Sequence, residues 1–274
     1  MDSTTSGRRS LPKILSGVLL LLGVWALKAK GVFLLLFEKV RVFFVNPFEG
    51  FGAIQYAVAG GSFVVTIVAY MTQAPLAVVL GFVVITLIHE IGHAMVIRAK
   101  GLRAGFMVFI PFVGGAVTHD QPHSAYDDAL IGLAGPFAGT IASLWCLQVY
   151  KWVHDPLWLL IAFLGFGLQL INLLPIGLLD GGRISAAITK WMWVLGGGVL
   201  VYKVWDQPNP LTIVILILAA FQVYGSIVRE ATDARFYEVT GAQRAAIAVA
   251  YFTLVIFLGH QTSMTWDRLE LLRQ

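Results

Sequence analysis

The chain contains His89-Glu90-Ile91-Gly92-His93. Residues four apart on an α-helix share a face, so this spacing aims two imidazoles at one point and sets a carboxylate beside them. Zinc takes nitrogen, sulfur or oxygen donors in a near-tetrahedral array and, where it is catalytic, keeps one position open. It lowers the pKa of a bound water toward about 7, and an adjacent carboxylate can then take the proton. The pattern predicts metal-assisted hydrolysis, with His89 and His93 as metal ligands and Glu90 as the catalytic base. The bland alternative is a charged helix face in water. Thirteen uncharged residues, Leu76 to Ile88, precede the motif. A charge at bilayer depth costs about 2.5–3.5 kcal/mol even on the permissive scale, so these three side chains need a metal ion or a water-filled cavity.

A third ligand is required. Cys146 is the only cysteine, which excludes an intrachain disulfide and a zinc site built on cysteines. Acidic residues beside the later apolar stretches are few, and Asp180 stands out in Asn172-Leu173-Leu174-Pro175-Ile176-Gly177-Leu178-Leu179-Asp180-Gly181-Gly182-Arg183. Pro175 and Gly177 break the helix there, and irregular backbone at membrane depth is tolerated only where it faces protein or a cavity. Glycines after Asp180 let backbone approach closely. The other reading of Asp180 is an ordinary helix N-cap.

The elements that carry these residues are apolar. Of 274 residues, 58% are hydrophobic and 12% charged, with 28 glycines and eight tryptophans. A soluble domain carries about 25% charged residues, so too few polar residues remain to coat a soluble enzyme. The net charge is +4 and the basic residues are scattered, which argues against nucleic acid. A membrane span needs roughly 20 mostly apolar residues. Candidates are Ile54–Met71, Leu76–Ile97, Ala129–Tyr150, Leu157–Leu174, Trp191–Val204, Leu211–Val228 and Ala245–Leu258, six or seven in all. Before them, Ile14–Leu27 resembles the apolar part of a signal peptide, but no small-residue cleavage site follows, so removal is not expected. Val32–Phe48 reads as an interfacial helix. Seven Lys and Arg precede Ile54, and Arg98, Lys100 and Arg103 follow Ile97, while the turn at Thr72–Pro75 is uncharged. The positive-inside rule puts both basic flanks, and the end of the helix bearing His89 and His93, toward the cytoplasm.

The two motifs together resemble the site-2 protease family, the intramembrane zinc metalloproteases. The resemblance rests on His89-Glu90-Ile91-Gly92-His93, on Asn172, Pro175 and Asp180-Gly181-Gly182, and on Gly135-Pro136-Phe137-Ala138-Gly139 between them. It covers about Leu76 to Arg183, and Leu178 stands where the family often has a second proline. It implies one zinc ion held by His89, His93 and Asp180, water activated by Glu90, and substrate handling by Asn172 and Pro175. The implied activity is regulated intramembrane proteolysis, a zinc endopeptidase cutting a transmembrane segment of another protein. The expected fold is an all-α polytopic membrane protein of about six transmembrane helices, with a small membrane-embedded β-hairpin between the motifs. One integrated domain over 1–274 is expected, with an N-terminal region 1–53, a protease core at about 54–190 and C-terminal helices over 191–274. No PDZ or other soluble domain fits between the motifs or after them.

Gly105 to Val117 is aromatic and β-branched with Pro and Gly breaks, and reads as two short strands whose open edge could pair with an unwound substrate; the alternative is an apolar loop. His119 and His123, with Pro122 between, read as a solvated loop rather than a second metal site. Asp127 and Asp128 read as the start of a helix, and Gly132, Gly135 and Gly139 as a small-residue packing face. Arg183 reads most simply as a cytoplasmic flank, the alternative being a pair with a carboxylate or lipid phosphate, and Trp191 and Trp193 read as interface anchors. Two rival functions remain at this stage: a membrane metal-binding or metal-transport protein, and an inactive family member that binds substrates. An ion pathway would spread polar residues through the spans; here they concentrate in two motifs, with Gln148 and Gln169 as the other candidates of note.

Overall fold

A computed structural model describes residues 52–111, 114–176, 179–189, 191–206, scattered positions from 213 to 228, and 234–274. The expected segments at Ile14–Leu27 and Val32–Phe48 lie outside the described residues, as do Gly177, Leu178 and part of Leu211–Val228. The chain divides into two compact units, Met1–Gln55 and Tyr56–Gln274, and the second holds both sequence motifs. In chain order the described elements are α1 (Gly52–Met71), α2 (Leu76–Ala99), β1 (Ala104–Ile110), β2 (Gly114–His119), α3 (Ala125–Val153), α4 (Pro156–Asn172), α5 (Asp180–Ile188), α6 (Trp191–Asp206), a 3-10 turn (Ala234–Tyr237) and α7 (Gly241–Leu271).

Among the described residues, α2, α3 and α7 are long and apolar enough to cross a membrane. The expected six or seven spans include shorter apolar helices, and one candidate, Leu211–Val228, is described only in part. At 1.5 Å per residue, the 17 residues of α4 reach about 26 Å, short of a hydrocarbon core of about 30 Å. Large apolar side chains such as Val68 of α1, Val84 of α2, Trp145 of α3 and Ile256 of α7 face outward, a surface suited to lipid.

Local sequence sets the helix ends that matter for the site. Ser124 caps α3 by accepting the Asp127 N–H, and Asp127 and Asp128 sit in the first turn, where the helix dipole favours negative charge. Asp155 caps α4, whose first residue is Pro156, a position where the missing N–H costs nothing. α4 stops at Asn172, and the hydroxyl of Tyr251 on α7 donates to the freed carbonyl of Leu173 at 2.6 Å. Ile85, Leu159, Phe166, Ile184, Ile247 and Leu258 belong to one buried cluster that joins α2, α4, α5 and α7.

The two expected strands form an antiparallel hairpin, with Val108 opposite Ala116 and Ile110 opposite Gly114. It is anchored on α1: the Phe109 N–H donates to the Ser62 hydroxyl at 3.2 Å, and the Phe63 and Phe109 rings meet edge to face.

Candidate metal centre

α2 delivers His89 and His93 one turn apart, and α5 delivers Asp180 from its first residue. His89 Nε2 lies 3.0 Å from His93 Nε2. Asp180 closes the triangle, with Oδ2 at 3.1 Å from His89 Nε2 and Oδ1 at 3.2 Å from His93 Nε2. The N-cap of α5 is Leu179, and no side chain caps that helix. The Asp180 carboxylate therefore turns to the imidazoles rather than to its own helix. The three residues could hold a metal ion.

The other ring nitrogens explain why. His89 Nδ1 lies 2.5 Å from the Gln169 amide oxygen of α4, and His93 Nδ1 lies 2.7 Å from the Ile131 carbonyl of α3. Each Nδ1 faces an acceptor, so each carries the proton, and both Nε2 lone pairs point inward. Two lone pairs and a carboxylate converging at about 3 Å repel unless a cation lies among them. Pro136 lies inside α3. It has no N–H to return to the Gly132 carbonyl, one residue after Ile131.

The donor set also fits zinc in spacing. Nitrogen and oxygen donors at about 2.0–2.2 Å in tetrahedral array stand roughly 3.3–3.6 Å apart, and the 3.0, 3.1 and 3.2 Å contacts are a few tenths of an ångström shorter than that. Gly135 keeps the inner face open. A Cβ there would lie 2.3 Å from His93 Nε2 and 2.7 Å from His89 Nε2.

Glu90 is buried beside the cluster, and its Oε2 has no hydrogen-bond partner among the described residues. Burial of an unpaired carboxylate oxygen is expensive. β2 lies directly against it: a Cβ at Gly115 would come within 2.4 Å of Glu90 Oε1.

Arg183, one turn after Asp180, is not a free flank. Its guanidinium donates through Nε and Nη2 to Asp128 Oδ1 at 2.8 and 2.6 Å, and through Nη2 to His119 Nε2 at 2.9 Å. His119 Nδ1 donates to the Asp120 carbonyl at 2.6 Å. Burial, and then the facing guanidinium, hold the His119 imidazole below its ordinary pKa. Its Nε2 is engaged by an arginine, so His119 joins β2, α3 and α5 in a clasp instead of lying in a solvated loop. Asp127 pairs with Lys100 at 2.7 Å.

Of the other expected site residues, Asn172 ends α4 and Pro175 lies in the turn toward Asp180. Neither supplies an atom to the cluster of His89, His93 and Asp180. The Trp193 indole donates to the Gly182 carbonyl at 2.9 Å, so Trp193 braces α5, where the sequence reading made it an interface anchor. Sequence reasoning missed the role of Gln169. Its one signal was an amide in an otherwise apolar helix, and no spacing rule links it to His89, 80 positions away.

No family model matches the chain. Comparison with curated proteins finds a zinc metalloprotease of Methanocaldococcus jannaschii, 31% identical over 106 residues, which are 37% of this chain and 31% of that protein. The match thus spans about a third of that relative's length. The similarity supports a zinc metalloprotease, in agreement with a group of side chains that could bind the metal.

Proposed function

We propose that the protein is an intramembrane zinc metalloprotease of the site-2 type, which hydrolyses a peptide bond in or near a transmembrane segment of another protein. One observation carries this reading. Two inward-facing imidazole nitrogens and a carboxylate from a distant helix converge beside a buried, unpaired glutamate, on a helix apolar enough to cross a membrane. His89, His93 and Asp180 would hold the ion, leaving one position open. A zinc ion bound there would polarise a carbonyl and acidify water.

The chain's own groups do the rest. The Glu90 carboxylate takes the proton of the attacking water and returns it to the leaving amine. Burial excludes bulk water and strengthens each charge interaction at the site. The hairpin gives the substrate a track: a helix must unwind before its carbonyl is reachable, and an extended segment can pair with a strand edge. Because Gly115 of β2 lies against Glu90, such a segment would pass the carboxylate. Asn172 and Pro175, at the turn leading to Asp180, are assigned to substrate handling. The substrate is a membrane-spanning protein, the solvent a lipid bilayer, and the catalytic end of α2 faces the cytoplasm in a multi-pass arrangement.

The test uses purified full-length protein with a fluorescently tagged panel of single-span membrane proteins. Glu90→Gln is expected to keep zinc and lose cleavage, and Asp180→Ala to lose both. Cleavage by Glu90→Gln at the wild-type rate would defeat the assignment of the base.

A further inference from the structure

The two imidazoles are not held alike. His93 leans on a backbone carbonyl, which no substitution removes. His89 leans on a side chain, Gln169, whose amide oxygen lies 2.5 Å from its Nδ1. Gln169 is fully buried in α4, a helix otherwise made of apolar residues and glycine apart from its terminal Asn172. Its Nε2 has no hydrogen-bond partner among the described residues. A buried amide with an idle donor is a poor packing element, since a leucine would fill similar space without that loss. The facing helix makes room for it as well. A Cβ at Gly139 of α3 would lie 2.3 Å from Gln169 Nε2 and 2.6 Å from Oε1.

We infer that Gln169 is the positioning residue for His89: its amide oxygen, seated against Gly139, holds the proton on Nδ1 and turns the Nε2 lone pair toward His93 and Asp180. This rests on the metalloprotease reading and adds a residue that neither sequence motif contains. Gln169 touches neither substrate nor metal; it acts through the imidazole. Without the acceptor, His89 can move its proton to Nε2 or rotate its ring, and either change removes a ligand. Loss of such an outer partner weakens metal binding by about 10–100-fold.

The experiment measures zinc affinity of the full chain in detergent by competition with a chromogenic chelator, and the visible absorption of the cobalt(II)-loaded protein. Gln169→Leu should bind zinc about 10–100-fold more weakly and change the cobalt bands. Gln169→Glu restores an acceptor and should recover affinity to within a few-fold of wild type. Gly139→Ala, which pushes the amide aside, should reproduce the Gln169→Leu loss. Gly167→Ala, on α4 with open space at its Cβ, should change nothing. Equal affinity and identical cobalt bands in wild type and Gln169→Leu would overturn the inference. So would equal weakening in Gln169→Leu and Gln169→Glu with both metal-free proteins melting early, because that is the behaviour of a packing residue. If wild type and Asp180→Ala bind zinc alike, or neither binds it, the underlying metalloprotease reading falls and takes this inference with it. If only the Gln169 variants behave like wild type, the inference alone fails.

Discussion

Gly135→Ala is the sharpest perturbation the site offers. The new methyl would stand 2.3 Å from His93 Nε2 and 2.7 Å from His89 Nε2, while ordinary contact begins at 3.4 Å. The nearer imidazole must therefore retreat by about 1.1 Å or the backbone of α3 must move as far. Neither imidazole has slack, because the Nδ1 atoms are tied at 2.5 and 2.7 Å to groups on α4 and α3. A metal site tolerates ligand displacements of only about 0.2 Å. The expected result is a loss of zinc affinity of at least about 10–100-fold, the scale of lost outer support, and a fall in cleavage of about 100-fold or more. Two other glycines calibrate the measurement. At Gly132 the nearest atoms are 3.1 and 3.2 Å from the added Cβ, on Ile184 and the Asp180 carbonyl, and at Gly167 nothing lies within 4 Å. Zinc affinity, read by chelator competition beside far-ultraviolet circular dichroism, should thus fall steeply for Gly135→Ala, slightly for Gly132→Ala and not at all for Gly167→Ala. If Gly135→Ala bound zinc within twofold of Gly167→Ala while remaining folded, the inward-facing geometry of the imidazoles would be refuted.

Gly115→Val separates the base from the ligands. Its Cβ would press on Glu90 Oε1 at 2.4 Å and on Cδ at 2.7 Å, so zinc content should stay at the wild-type level while kcat falls about 100-fold, as for a misplacement of about 1 Å; full activity would remove β2 from the site. The clasp at His119 predicts a pH dependence. In the folded protein its Nε2 accepts from Arg183 and its pKa is depressed, so the unfolded chain binds more protons below its own value of about 6.5. The contribution to stability is complete above about pH 6.5 and declines as the pH falls from there toward the folded pKa. Thermal melts from pH 8 to pH 5 should show that decline in wild type and a flatter profile in His119→Asn; parallel profiles would contradict it.

What the sequence made legible follows the range of each interaction. His89, Glu90 and His93 were readable because a helix converts a spacing of four into one face. The hairpin was readable because aromatic and β-branched residues alternate with Pro and Gly breaks. Asp180 was not readable from spacing, since an aspartate before two glycines is equally a cap; the resemblance selected it, and the structure places it against the imidazoles, 87 positions from His93. For the same reason His119 was misread and the pairing of Arg183 with a carboxylate stood second to a solvated flank. A basic flank and a loop histidine look solvated until the fold brings together positions 64 apart. Among the described residues three helices are long and apolar enough to cross a bilayer, because apolar content alone does not fix helix length.

The glycines of α3 show why a packing pattern can conceal a site. From sequence, Gly132, Gly135 and Gly139 form a stripe of the kind that lets two membrane helices approach, and the expectation was a generic interface with α2. Gly135 does face α2, and the three glycines each meet a different part of one assembly. Gly132 lies under α5 beside the Asp180 carbonyl, Gly135 lies before the two Nε2 atoms, and Gly139 lies against the Gln169 amide. A methyl at the first would press on the helix that carries Asp180. At the second it would crowd the imidazoles, and at the third it would displace the support of His89. In lipid, small residues are the ordinary means of close helix packing, so their spacing alone carries no functional information. The chemistry of what they face does, and that becomes visible only when α2, α4 and α5 are set around α3.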